Sequence, residues 1–349
     1  MESRKVIGFG KNSLAITLPK SWSSKQKIQK GDTVDVDQND NTLIIAPLHT
    51  SAPKEVKSIT IDADKKTHEM TKALIFTAYL QNYSAIRIVS KSIITDARAI
   101  INELLSLSGM EILEQTAYKI IAKDLMDINE VSIKTIVRRV DIITRSMIED
   151  TLTCLALEGK NKEPEQRELV TNIDNRDEDV NRLHFLAYRV VRGAMENPAY
   201  QSKIGMTPVE LQDHRSLTIR IERIADQAKS IAKDILNIML VGKPKRILCE
   251  LFQVIQQRYL DAMKAYYATN KAIALDIEVS TRKLLQELDN GFDSYINQYL
   301  KGEKDKIKPQ SFIVESRIVD SMKIMTRETR NVARIILGTN TDQNPANNV

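Results

Sequence analysis

Apolar positions repeat along this chain with two different periods. From residue 129 to residue 338 the period is helical. Val140, Ile143, Met147 and Cys154 recur at spacings of three, four and seven, and Val180, Leu183, Ala187 and Val190 form a second stripe. Ile221, Ile224, Ala228, Ile231 and Ile235 form a third. After Pro244 the pattern restarts with Leu248, Leu251, Ile255, Leu260 and Met263, continues from Leu284 to Tyr299 and closes from Ile318 to Leu337. The prolines at 164, 198, 208, 244 and 309 punctuate these stretches, because a proline inside a helix removes a hydrogen bond and clashes with the preceding turn. The two halves end alike: AKSIAKDIL from Ala228 resembles TRNVARIIL from Thr329. This pattern predicts two three-helix bundles in tandem, residues 129–241 and 245–338.

The first 48 residues alternate instead, as half-buried strands do. Val6-Ile7, Ser13–Leu18, Thr33–Asp37 and Thr42–Ala46 are short strand candidates, with Gly31-Asp32 and Asn39-Asp40-Asn41 as turns. In Ser13–Leu18 the residues Leu14, Ile16 and Leu18 share one face; Pro19 ends the strand and a short lysine-bearing helix follows. This strand set is too small to bury a core alone. It predicts a homodimer built on the face of Leu14, Ile16, Leu18, Val34 and Val36. Residues 49–57 read as a linker. Residues 58–126 mix both periods: Ile59–Ile61, Ala85–Val89, Met110–Leu113 and Tyr118–Ala122 read as strands, and Thr95–Leu107 as a helix stopped by Gly109. A further helix capped by Thr67 carries Met70, Leu74 and Ala78 as its stripe, which makes this a small α+β domain. The expected whole is multidomain and mostly α.

Composition supports that picture. Of 349 residues, 42% are hydrophobic, 28% charged and only 5% aromatic. The mean hydropathy is -0.30. No apolar run approaches the ~20 residues that span a bilayer, so no membrane insertion is expected. No secretory leader is read at MESRKVIGFG, and Cys154 and Cys249 stand alone, which leads to the expectation of a reducing cytoplasm. The net charge of +5 is uneven: residues 1–30 hold Arg4, Lys5, Lys11, Lys20, Lys25, Lys27 and Lys30 against Glu2 alone. Such an end suits a polyanion such as DNA, or an acidic partner; a plain solvated surface is the alternative.

Catalytic signals are missing. His49, His68, His184 and His214 sit singly, and His184, inside an apolar helix, reads as a hydrogen-bonded packing residue. There is no Gly-rich phosphate loop or C-x-x-C pair, and Ser13, Ser21 and Cys154 lack an evident base, so no enzyme activity is expected. Glu222 and Asp226, four apart, stack on one helix face, where hard oxygen-preferring cations can be held. The alternative is ordinary surface pairing of Asp226 with Arg223 or Lys229.

IERIADQAKSIAK from Ile221 resembles the third-helix signature of the PhoU phosphate-signalling regulators, and NRDEDVNRLHFL from Asn175 resembles their second helix. SLAITLPK from Ser13 and KGDTV from Lys30 resemble the SpoVT/AbrB-like domain, a small swapped-hairpin fold. Together with the α+β domain between them, these parts are similar to the archaeal type of PhoU regulator. The resemblance implies control of phosphate uptake and homeostasis. It would act through DNA and transcription, or by docking on components of the phosphate ABC transporter or a signalling protein. It also implies a Glu/Asp-x-x-x-Asp metal motif. Glu222 and Asp226 match it; on the partner helix Asp177 matches the first position and Asn181 replaces the last carboxylate. The metal expected there is Mg, Mn, Fe or Zn. In the second bundle Lys323 and Arg327 stand at the corresponding places, which favours an anion or a salt bridge. DNA-binding members of the SpoVT/AbrB class carry arginines where this chain has Ala15, Ser23 and Ser24. Any DNA contact is therefore assigned to Lys11, Lys20, Lys25, Lys27 and Lys30, which suit phosphates better than bases.

Overall fold

The computed structural model describes residues 3–10, 13–39, 42–47, 57–157, 162–237, 242–300 and 309–339. Of residues 49–57, read as a linker, 49–56 lie outside them.

Five of the helices carry a proline in their first turn. Pro208 follows the Thr207 cap of α7 (Pro208–Ile235), and Thr207 Oγ1 accepts from Glu210 N at 3.2 Å while Thr207 N donates to Glu210 Oε2 at 2.7 Å. That reciprocal pair satisfies two orphan donors of the first turn. Pro164, Pro198, Pro244 and Pro309 likewise fall in the first turns of α5 (Lys162–Glu196), α6 (Pro198–Ile204), α8 (Gly242–Ala268) and α10 (Pro309–Gly338). A missing N–H costs nothing there, because no intrahelical acceptor precedes it. The remaining long helices are α4 (Ile133–Ala156) and α9 (Lys271–Leu300).

Helices α4, α5 and α7 pack as one bundle, and α8, α9 and α10 as a second. The bundles are not separate bodies. Helix α7 lies along α10 and α4 against α8, so one continuous apolar core runs from Val140, Leu183 and Ile221 to Phe252, Met322 and Val332. Polar links fix this seam. Asp141, fully buried on α4, takes hydrogen bonds from Tyr259 Oη at 3.0 Å, Tyr267 Oη at 2.8 Å and Arg145 Nε at 2.8 Å. Glu328 of α10 meets Arg220 at 3.0 Å and Arg223 at 3.3 Å on α7, and Arg317 pairs with Asp234 near the other end. The buried Lys245 ammonium donates to the carbonyls of Ala156 and Leu157, at 2.9 and 2.8 Å, and closes the C-terminus of α4.

The middle domain contains β5 (Ser58–Asp62), α2 (His68–Leu80), β6 (Ala85–Val89), α3 (Ala97–Leu105), β7 (Met110–Gln115) and β8 (Lys119–Asp124). The sheet order is β5-β6-β8-β7, with β5 and β6 parallel and the other pairs antiparallel. Its core holds Ile75, Tyr79, Ile86, Ile88, Leu104 and Ile120. On α2 the expected stripe holds at Ala78 and fails at Met70 and Leu74. Thr67 does cap the helix, but Met70 and Leu74 are 58% and 40% exposed, while Thr71, Ile75, Ala78 and Tyr79 face the sheet. A shift of one residue turns a helix by about 100°, which is enough to exchange the two faces.

The domain is fastened to α5. Arg189 donates to Asp124 Oδ2 at 2.5 Å and Asn82 Oδ1 at 3.0 Å, and its guanidinium lies 4.1 Å from the Tyr79 ring centre. Phe76 and Phe185 meet edge to face at 4.4 Å. Gly109, at φ +83°, leaves room for Asp124: a Cβ there would come within 2.5 Å of Asp124 Oδ1.

The head comprises β1 (Ile7–Phe9), β2 (Ser13–Ala15), α1 (Lys20–Lys25), β3 (Val34–Asn39) and β4 (Thr42–Pro47). Its strands form two separate antiparallel hairpins. The expected strand Ser13–Leu18 pairs only as far as Ala15, because β1 ends opposite that residue at Ile7.

Candidate functional site

Two surfaces carry the residues that sequence reasoning singled out. The first is the head. Lys20 and Lys25 lie on α1 and Lys27 and Lys30 follow it; all four are exposed. Lys11 lies outside the described residues. At two of the places expected to bear arginines, Ser23 turns its hydroxyl back to the carbonyls of Pro19 and Lys20, each at 3.2 Å, and Ser24 is exposed. Arg4 Nη1 reaches Thr17 Oγ1 at 3.1 Å on the neighbouring stretch. Phe9, Leu14 and Leu43 are 75, 79 and 65% exposed, and Val6, Ile7, Ile16 and Val36 are more than half exposed. Each hairpin thus presents an apolar surface that none of the described residues covers, at a density far above the scattered apolar residues of ordinary surfaces.

The second surface lies between α5 and α7. Asp177, on α5, is buried and accepts from the Lys229 ammonium and from Asn181 Nδ2 at 3.1 Å. Lys229 also stands 3.8 Å from Asp226, one turn earlier on α7. Glu222 lies a further turn back. Burial, reinforced by the negative charges of Asp226 and Asp177, pushes its carboxyl up to about 7. Asp226 is raised for the same reasons, burial first and Asp177 second.

Asp177, Asn181, Glu222 and Asp226 are thus brought to one place, and Lys229 is brought there too. As the side chains stand, its ammonium supplies the positive charge between Asp177 and Asp226, and Asn181 turns a donor to the cluster. Among the described residues no group of three or more His, Cys, Asp or Glu side chains is placed to hold a metal ion. In this arrangement Lys229 is the cation nearest the carboxylates. Lys229 entered the sequence reading only as an alternative partner of Asp226, three residues away on the same helix. Its contact with Asp177 depends on how α5 and α7 cross.

The second bundle repeats the device. Lys323 of α10 pairs with Asp289 of α9 and stands 3.9 Å from Asp320, while Arg327 is exposed. In both bundles a lysine of the third helix reaches an aspartate of the second.

His184 is largely buried, with Phe185 at 5.4 Å; its Nδ1 has no hydrogen-bond partner, contrary to expectation. Burial, with Arg215 nearby, holds it down to about 4. His214 Nδ1 lies 2.7 Å from the Glu210 carbonyl. His49 lies outside the described residues. Among the described residues no helix is long and apolar enough to cross a membrane.

Residues 137–235 match the family model described as PhoU domain. Residues 9–52 match the model described as antidote-toxin recognition MazE, bacterial antitoxin. Among curated proteins none matches. Similar solved structures include PhoU from Pseudomonas aeruginosa, at 11% identity and a TM-score of 0.48 over 59% of this chain and 93% of that one. Another is the phosphate transport system regulatory protein PhoU from Streptococcus pneumoniae, at 12% identity and a TM-score of 0.46 over 59% and 91%.

Proposed function

We propose that this protein is a phosphate-responsive regulator of the PhoU type that dimerises through its head and uses the lysines there to dock on DNA. The PhoU domain over residues 137–235 supports the regulatory part. The observation that carries the DNA-binding part is the composition of the head surface. Four exposed lysines and two uncovered apolar hairpin faces occur within 47 residues that match an antitoxin model over most of their length. An apolar face drives two heads together; the lysines then double in number on one surface, where a polyanion releases counterions on binding.

With lysine in place of arginine, the contact is to phosphates, and discrimination between base sequences is low. Fluorescence anisotropy against promoter-like and random DNA at several salt concentrations tests this. The logarithm of affinity should fall with the logarithm of salt by about 0.9 per phosphate contact. Lys20→Ala, Lys25→Ala and Lys27→Ala should each weaken binding to all sequences alike. Absence of binding at low salt would discard the DNA reading. It would leave the second one, an adaptor that docks on the phosphate transporter or a signalling protein with a head that only dimerises. Ala15, Ser23 and Ser24, where arginines were expected, favour that second reading.

At the surface between α5 and α7 the Lys229 ammonium supplies positive charge to Asp177 and Asp226.

A further inference from the structure

A cavity of about 240 Å³ opens in the middle domain, outside the carboxyl ends of the parallel strands β5 and β6. The loops that follow these strands, 63–67 and 90–96, form its walls. Crevices at this position of an α/β sheet are where ligands gather, since both chains turn away from the sheet there.

The walls have a marked chemistry. Lys65 and Lys66 both line the cavity, and neither ammonium has a carboxylate partner among the described residues. His68 lines it as well. The one carboxylate on the wall, Asp64, is already engaged: its Oδ1 accepts from Ser90 Oγ at 2.6 Å and Lys91 N at 2.9 Å. These bonds hold its proton affinity below the usual carboxylate range and tie the two loops together.

We infer that this cavity binds a small phosphate-bearing anion, held by Lys65, Lys66 and His68. Two unpaired ammonium groups match the charge of a phosphate dianion better than that of a monocarboxylate, and ammonium–phosphate hydrogen bonds are of the strong, charge-assisted kind. The volume admits inorganic phosphate or a phosphate ester. This stands apart from the PhoU-type reading, because it concerns another domain and its test is binding alone.

The test is titration calorimetry of the full chain at low ionic strength with three probes: inorganic phosphate, AMP and adenosine. Saturable uptake of phosphate, of AMP, or of both is expected, and the comparison tells the free ion from the ester; adenosine should give none. Lys65→Gln/Lys66→Gln should weaken uptake by at least about tenfold, the loss expected for a charge-assisted hydrogen bond. His68→Gln should weaken it by a smaller factor. Both lysines lack ion-pair partners among the described residues, so their replacement leaves the fold intact, which circular dichroism checks. Lys20→Gln/Lys25→Gln on the head should leave uptake unchanged. The inference is overturned if neither phosphate probe is taken up, if adenosine is taken up equally well, or if uptake survives the Lys65/Lys66 changes and is lost with the head changes.

Discussion

Glu222 and His184 respond to acid in opposite directions, and the two signs can be separated. The folded protein holds Glu222 at about 7 against an ordinary 4.5, so it binds that proton more tightly than the unfolded chain. Its contribution is fully present below pH 4.5 and is lost as pH rises through 7. His184, held at about 4 against 6.5, does the reverse: its contribution is present above pH 6.5 and is lost as pH falls through 4. Over the shared window the two partly cancel. Glu222→Gln should therefore gain stability relative to wild type as pH rises from 5 to 8, by about 1 kcal/mol once solvent screening of this half-exposed group is allowed for. His184→Gln should gain relative to wild type as pH falls from 7.5 to 5. Urea denaturation at four or five pH values reads both, and curves that stay parallel to wild type would refute the assignment. The place of Lys229 is tested alongside: Lys229→Ala removes the ammonium from Asp177, which is then left buried and uncompensated, and should cost about 3–5 kcal/mol. Manganese should take up that role in Lys229→Ala and not in wild type; uptake by wild type in calorimetry would restore a metal to the α5–α7 surface.

At the scale of elements, the junction between the middle domain and α5 is closed by a buried ion pair. The side chains of Arg189 and Asp124 are 3% and 5% exposed, so neither partner can fall back on water if the other is removed. Asp124→Ala should cost about 3–5 kcal/mol, and Asp124→Leu/Arg189→Met distinctly less, because the double change leaves no lone buried charge. Gly109→Ala should also destabilise, by about 1–3 kcal/mol, since a Cβ would meet Asp124 and the backbone is left-handed there. Thermal unfolding, with limited proteolysis of residues 57–124 as a second readout, checks these. The elements themselves were legible where burial is one-sided. Val180, Leu183, Ala187 and Val190 are all buried, as their spacing requires. Legibility failed on α2, whose two faces are both apolar: Met70 and Leu74 compete with Ile75, Ala78 and Tyr79, and only the sheet decides which face is covered.

At the scale of the whole molecule, the head is the least self-sufficient part. Two hairpins that do not pair with each other leave Phe9, Leu14 and Leu43 in water. Removing residues 1–54 should lower the mass measured by light scattering from that of a dimer, or shift the dimer to much higher concentration. An unchanged mass with unchanged strength of association would mean that dimerisation lies elsewhere. The helical body should unfold as one unit when the full chain is titrated with urea, because Asp141 and Glu328 join bundles that share one core. Two separate transitions within the helical signal would show instead that the bundles open independently.

The sequence by itself determined the helical body, the strand-rich head, the α+β domain between them and the clustering of Glu222 with Asp226, because period and spacing act within one element. It also determined where the helical stretches are broken at prolines 164, 198, 208, 244 and 309, since proline inside a helix is costly. Only the tertiary structure decided that the two bundles fuse along α7–α10 and α4–α8, that Lys229 reaches Asp177, that Arg189 is locked to Asp124 and Asn82, and that two loops enclose a cavity with Lys65, Lys66 and His68 on its wall. Each of these is a contact between elements far apart in the chain. Its existence depends on crossing angles and on which of two apolar faces is covered, and these are set by the packing of the whole core.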